Sequence, residues 1–432
     1  MAFIRPFAAT MYRHESDQDI STLVAPPYDV IGPELRARLV ARDPDNVVAV
    51  DLPEGSSDPM VPGNRYQSAG SIWRAWRSSG VLVDDHSDAF YVLEQTWEHA
   101  GRHVRRRAFV AAVELHDFSE GVVLPHERTL PKHVADRLDL TRACSANLSQ
   151  VFALFSDPAG ETDGFFDAAE RGDLLVSARD AESVVSRVWA IRDAAMIAAL
   201  QELLAAKQLF IADGHHRYTT ALAYRDERRA ADAAAGVSHA ERPDYDFTMM
   251  ALVNMDDPDL IVLPTHRTVR AEGRFDASAF WRELSRHFEV RQPPAGHPAA
   301  ALASAPATSF LVKTADGTTR LATLRADVDV AAAIPGAASL AWKSLDATIL
   351  QELVLGPIFG IIPDEMRTLE RLTFVKDAHE ALKLQNADAA FIMNATRMDQ
   401  LRHVALGGET MPQKSTYFYP KLLSGLLFRT MR

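Results

Sequence analysis

Apolar and polar positions alternate over 88–97 (DAFYVLEQTW) and again over 105–115 (RRRAFVAAVEL). Period-two patterning of this kind predicts two neighbouring strands, joined by a hairpin turn at EHAGRH. Short apolar runs at 149–157, 207–213 and 247–257 predict buried strands. Helical spacing of apolar residues predicts helices over GPELRARLVARDP, RYQSAGSIWRAWRSSG, DAAMIAALQELLAAKQ and HHRYTTALAYRDERR. A later block repeats the mixture. DASAFWRELSRHF, LDATILQELVLGPIFG and RMDQLRHVALGG read as helices; TSFLVKTADG with TRLATLRAD reads as a hairpin, and DAAFIMNAT as a strand. The class is α+β, mixed sheets with packed helices. The Pro- and Ala-rich stretch 291–309 is the expected boundary between an N-terminal α/β region, 1–290, and a C-terminal α+β region, 291–432. The same stretch also fits a long loop within one interlocked domain.

Bulk composition narrows the class of protein. The chain has 432 residues, 47% hydrophobic and 24% charged, enough for a large core without disulfides. Its one cysteine, Cys144, rules out an intramolecular disulfide framework and a multi-cysteine zinc site. Small residues around Cys144 predict a buried structural thiol. A net charge of -12 argues against a general nucleic-acid surface. The basic run GRHVRRRAF is expected to be a solvated strand or turn. No stretch has the length of a signal peptide's apolar region or of a membrane span, so the expected location is the cytoplasm. A homo-oligomer is compatible with this composition.

The candidate chemistry centres on FIADGHHRYTTALAY, 210–224, which predicts strand, tight turn and helix. Gly214 permits the turn. The first N–H groups of the following helix attract anions. Arg217 adds a planar charged fork suited to phosphate oxygens. His215 and His216 are placed to donate to the same group, and Tyr218, Ala221 and Leu222 to pack inward. Two other readings stay open: Asp213 capping the helix beside structural histidines, or Asp213 and one histidine joining distant ligands on a metal. Adjacent histidines diverge by about 100° on a helix, so they do not form the i, i+4 pair of zinc hydrolases.

Other blocks add residues. VAPPYDVI presents Asp29 after two rigid prolines, as a base for an attacking hydroxyl or as a helix-capping turn. LPHERTLPKHVADRLDLTRA gathers His126, Glu127, Arg128 and Arg142. His126 and Glu127 suit an acceptor or a metal, and Arg128 and Arg142 suit phosphate. Lys132, His133, Asp136 and Arg137 are expected on the surface. LPTHRTV offers His266 and Arg267. MPQKSTYFYPKLL offers Lys414 and Lys421, without the glycines of a P-loop.

DGHHRYTTA resembles the Gly-x-x-Arg signature of the ParB/sulfiredoxin superfamily, here Gly214 and Arg217, with Thr220 where that pattern prefers alanine. VAPPYDVI, LPHERTLPKHVADRL, RACSANLSQVFALFSD, IADGHHRYTTALAY, LPTHRTV and MPQKSTYFYPKLLSGLLF together resemble the DUF1015 family over nearly the whole chain. The superfamily resemblance implies a nucleotide-binding core with large elaborations. It also implies ATP or ADP, with Mg2+, held by Asp213, Gly214, His215, His216 and Arg217, assisted by Arg128, Arg142 and Lys414. Asp29, His126, Glu127 and His216 are the expected catalytic set. No protein-held metal site is expected. The implied activity is phosphoryl transfer to a small hydroxylated metabolite such as serine. A phosphatase or other hydrolase using the same cleft, and a ParB-like nucleotide switch, are its rivals.

Overall fold

The alternating pattern at 88–115 folds into a hairpin, β1 (Phe90–His99) and β2 (Arg102–Glu114), paired from Tyr91↔Val110 to His99↔Arg102. Ala100 and Gly101 make the two-residue turn with φ of 51° and 74°, the twist that tight hairpins need. The structure is a computed structural model, and it describes residues 2–13, 19–293, 300, 302, 304–305, 308–362 and 370–431.

Around the hairpin lie β3 (Val123–Leu124), β4 (Val151–Phe155), β5 (Val176–Arg179), β6 (Val185–Ile191), β7 (Leu209–Asp213) and β8 (Phe247–Asn254). They form one sheet in the order β3-β7-β4-β8-β2-β1-β6-β5, with the short strand Ile4–Arg5 also pairing β2. The β7/β3 and β8/β4 pairs are parallel and the others antiparallel. Helices α1 (Arg65–Ser79), α2 (Pro131–Cys144), α3 (Ala194–Ala205) and α4 (His215–Ala235) accompany this sheet. Tyr218 and Ala221 of α4 and Leu200 and Leu204 of α3 join Phe109, Ala153, Phe155 and Ile211 in one core. The inward packing of Tyr218 and Ala221 expected from their spacing is therefore present. Helix α2 packs on both α1 and α4. Gly70 allows the first approach, since a Cβ there would lie 2.6 Å from the Ala143 carbonyl oxygen.

The chain divides differently from the sequence expectation. One unit comprises Met1–Leu260 together with Pro420–Arg432, and the other Ile261–Tyr419. The expected boundary at 290 falls inside the second unit. There β10 (Phe288–Arg291) and β11 (Ser309–Thr314) flank the Pro/Ala stretch and belong to the same sheet, so that composition marks a loop. Residues 294–299, 301, 303, 306 and 307 of the stretch lie outside the described residues. With β9 (His266–Val269), β12 (Thr319–Leu324), β13 (Leu372–Val375) and β14 (Ala389–Ile392), this sheet runs β10-β12-β11-β14-β9-β13. All of its pairs are antiparallel, and Phe280, Phe310, Leu350 and Phe391 lie in the core built on it. No helix among the described residues is long and apolar enough to cross a membrane.

Candidate functional site

Asp213 ends β7, and the register with β4 shifts between Ile211 and Asp213. Gly214 then turns the chain at φ 89° and ψ 29°, a left-handed conformation that other residues adopt only with strain. Helix α4 starts at once, its first bond running from the Tyr218 N–H to the Gly214 carbonyl at 3.0 Å. The N-cap position is Gly214, which has no side chain, so the capping role considered for Asp213 is not the one it plays. The Asp213 carboxylate instead lies 3.5 Å from Arg217 Nη2 and 3.3 Å from Lys421 Nζ. Burial alone would raise the pKa of Asp213. Lys421 and Arg217, with His215, overcome that and hold it well below the usual carboxylate range.

The Arg217 guanidinium folds back over Gly214, where a Cβ would meet its Nε at 2.8 Å. Arg217 Nη1 donates to the Gln150 carbonyl and, at 3.3 Å, to Ser149 Oγ. Behind this turn Arg106 is only 2% exposed. It donates to Gln95 Oε1 and, at 2.6 Å, to the Pro420 carbonyl. The expectation of a solvated basic run fails at Arg106, because its face of β2 is covered by Phe152 and the Pro420 carbonyl, while Arg105 and Arg107 on the other face stay partly exposed. Burial lowers the pKa of Arg106, and Asp213 opposes that shift.

The two histidines serve the loop that precedes α2. His215 Nε2 accepts the backbone N–H groups of His126 at 3.2 Å and Glu127 at 3.3 Å. His216 Nε2 accepts the N–H of Leu130 at 3.0 Å. An imidazole nitrogen that accepts carries no proton, so these nitrogens are not the phosphate donors expected from the sequence. His126 Nδ1 donates to the Ile211 carbonyl at 2.6 Å, and the His126 ring meets His215 edge-on at 4.6 Å. Burial lowers the pKa of His126 to about 4, and burial with the His126 neighbour lowers that of His215 well below the ordinary imidazole value.

A cleft of about 590 Å³, including its open mouth, lies between α2 and α4. Arg217, Thr220, Ala221 and Tyr224 line one side, a single helical stripe. Arg137 and Leu140 of α2, with Tyr28, Ser149 and Tyr245, also line it. The Arg137 guanidinium sits 4.1 Å from the Tyr28 ring centroid, a cation–π geometry. It donates to the Asp51 carbonyl at 2.7 Å and to Asp136 Oδ2 at 2.7 and 2.9 Å. Burial raises the Tyr28 pKa to about 12, against the pull of Arg137 and Arg217, so its hydroxyl stays protonated at neutral pH.

The other expected residues scatter. Asp29 is exposed on the single turn Tyr28–Val30, beside the Tyr28 that lines the cleft. Glu127 and the exposed Arg128 sit on the loop tied to His215 and His216. Arg142 does not line the cleft: it is exposed and ion-paired to Asp139 and Glu227, a surface bridge between α2 and α4. Lys414 belongs to the second unit, where its carbonyl accepts from the buried Arg267. Arg137, expected on the surface, is buried at the cleft wall because Asp51, Asp136 and Tyr28 surround it. Asp51, Arg106 and Ser149 were not singled out by sequence reasoning. Cys144 is buried with its thiol pKa pushed up to about 12, a structural residue as expected. Among the described residues, no three His, Cys, Asp or Glu side chains are grouped so as to hold a metal.

With its fold and cleft described, the chain can be placed by comparison. It belongs to the DUF1015 family, a family of proteins of unknown function, with residues 4–348 matching. No curated protein matches the sequence. Similar solved structures include a free serine kinase in complex with AMP, at 14% identity and a TM-score of 0.32, covering 72% of this chain and 86% of that one. A conserved hypothetical protein from Pyrococcus furiosus matches at 13% identity and a TM-score of 0.32, covering 73% and 92%. SbnI with a C-terminal truncation, from Staphylococcus aureus, matches at 8% identity and a TM-score of 0.35, covering 74% and 86%.

Proposed function

We propose that this chain is a nucleotide-dependent phosphotransferase that takes ATP or ADP in the cleft between α2 and α4. Its acceptor is a small hydroxylated metabolite such as serine. One observation carries the reading: Arg217, on the first turn of α4, lines the cleft immediately after the Gly214 turn. A permanently charged fork on the first turn of a helix is the chemistry that phosphate oxygens need. The Gly214 and Arg217 positions are also those that resemble the ParB/sulfiredoxin signature.

Phosphoryl transfer asks for positioning and positive charge more than for covalent chemistry. In this reading Arg217 and the α4 N–H groups hold the phosphates and stabilise charge on the transferring group. The acceptor oxygen bonds to phosphorus as the bond to the nucleotide's bridging oxygen breaks. Asp29, carried by the turn that brings Tyr28 to the cleft, takes the acceptor proton. His126 and His215 fix the loop that bears Glu127, which makes their contribution one of positioning. Mg2+ retains waters and binds through substrate phosphates with one or two carboxylates, so it would neutralise phosphate charge without a dedicated protein cage.

The engagement of His215 and His216 Nε2 with backbone N–H groups weighs against a hydrolase in which either histidine attacks phosphorus. The test is ADP formation from ATP and Mg2+ with serine and related hydroxylated metabolites. Turnover that requires one of them and disappears in Arg217→Ala supports the reading. Phosphate release from a metabolite without nucleotide would replace it with the hydrolase, and slow turnover indifferent to every metabolite would replace it with the switch.

A further inference from the structure

The cleft along α4, all of it within the first unit, changes character along its helical stripe. Arg217 begins the stripe, and its Nη1 donates to Ser149 Oγ at 3.3 Å. Tyr224 lies two turns further on, about 10 Å along the axis. Tyr245 lies beyond it, since its hydroxyl donates to Asp232 Oδ2 at 2.6 Å and its ring centroid is 5.8 Å from the Arg228 guanidinium. Asn147 belongs to this second end: its Oδ1 accepts the backbone N–H of Met249 at 3.0 Å, next to the cleft residues Phe247 and Thr248. Positive charge therefore marks where the stripe starts, and the flat rings of Tyr224, Tyr245 and Phe247 mark where it ends. A nucleotide spans a comparable length from its phosphates to the edge of its base.

The neighbours of Asn147 orient its amide. The Met249 N–H and Arg429 Nη1, the latter at 3.4 Å, are donors only, so the atom facing them is the carbonyl oxygen. Arg429 is itself buried and tied to the Phe247 carbonyl at 3.1 Å and Asp244 Oδ1 at 2.9 Å, which fixes the contact. Asn147 Nδ2 is left as a donor with no partner among the described residues, on a side chain that lines the cleft. Thr248 is 3% exposed and Tyr224 8%, both line the cleft, and neither hydroxyl has a hydrogen-bond partner among the described residues. Buried polar groups are nearly always paired, so unpaired ones gathered on a cavity wall are the groups a ligand would satisfy. An amide donor and hydroxyls suit the polar edge of a heterocycle, and the Tyr224 ring offers it a face for stacking.

We infer that Asn147 recognises the base of the bound nucleotide. Its amide N–H donates to an unprotonated ring nitrogen of adenine, with the ring against Tyr224 and the Thr248 hydroxyl on the same edge. The inference rests on the nucleotide reading above and adds to it the end of the cleft that selects the base. Because its carbonyl oxygen is committed to Met249 and Arg429, Asn147 cannot make the two-point contact of a free amide with adenine and offers a donor only.

Asn147→Asp separates recognition from support, because a carboxylate still accepts from Met249 and Arg429 but has no hydrogen to donate. Calorimetric titration into the full chain compares ADP, pyrophosphate and the deaza analogues of ADP that each lack one ring nitrogen. The variant should bind ADP about 10-fold more weakly than wild type, the loss of one hydrogen bond. One deaza analogue should show the same loss with wild type and no further loss with the variant. A merely supporting asparagine would leave ADP affinity unchanged in the variant. That result, or wild type binding every analogue as tightly as ADP, overturns the inference and leaves the Arg217 site standing. Wild type that binds neither ADP nor pyrophosphate overturns the nucleotide reading itself, and this inference with it. The analogue series on wild type keeps the test decisive if Asn147→Asp does not fold.

Discussion

His215 Nε2 accepts the backbone N–H of His126 at 3.2 Å, while the His126 ring stands edge-on to His215 and donates from Nδ1 to Ile211. Both imidazoles are neutral in the folded protein, and burial, the largest cause, keeps them so. In the unfolded chain each returns to an ordinary pKa near 6.5. Between pH 6.5 and about 4 the unfolded state therefore binds protons that the folded state refuses. Stability should be on its plateau above pH 7 and fall as the pH drops through that window, by up to about 1.4 kcal/mol per pH unit for each histidine. Denaturant titrations at pH 7.5, 6 and 5 measure the slope. His126→Asn, which keeps a donor for Ile211, should lower proton uptake on unfolding at pH 5 by about one; an unchanged uptake would contradict the assignment.

Gly214→Ala places a methyl group 2.8–3.0 Å from the Arg217 guanidinium at a φ of 89°. The expected cost is about 1–2 kcal/mol of backbone strain, together with loss of phosphate affinity as Arg217 is pushed aside. Gly63→Ala is the control, because its φ is 71° with nothing within 4 Å. That variant should lose comparable stability and bind ligand as wild type does.

Arg106→Met and Arg142→Ala separate buried from surface charge. The first strands Gln95 Oε1 and the Pro420 carbonyl, and should cost about 3 kcal/mol or more. The second removes an exposed bridge to Asp139 and Glu227 and should cost less than about 1 kcal/mol. Thermal denaturation of the two variants gives the order, and a reversed order would refute the burial argument.

Cys144 should not react with a thiol reagent at pH 8 in the folded protein, because its thiol is buried with a pKa near 12. One equivalent should react on adding denaturant. Reaction of the folded protein at the denatured rate would contradict its placement.

Much of this was legible in the residues. The hairpin at 88–115, the strand–turn–helix at 207–235 and the inward face of Tyr218 and Ala221 all follow from periodicity and from one glycine. The histidines were placed at the correct turn and given the wrong partners, because a sequence does not show that the 126–130 loop returns to the start of α4. Arg106 was misread because a basic run on an alternating strand looks solvated, and no local signal shows that Phe152 and the distant Pro420 carbonyl cover one face of it. Arg137 and Asp51 had no local signal, since their pairing spans 86 residues. The boundary at 290 failed for a related reason: a Pro/Ala loop inside one sheet has the composition of a linker.

The account rests on Arg217 as a phosphate-binding residue at the start of α4, and calorimetric titration of ADP into wild type and Arg217→Ala tests it most directly. It predicts saturable binding to wild type, weakened at least about 10-fold in the variant, with both proteins folded. Equal binding by the two, or no binding by wild type, would contradict it.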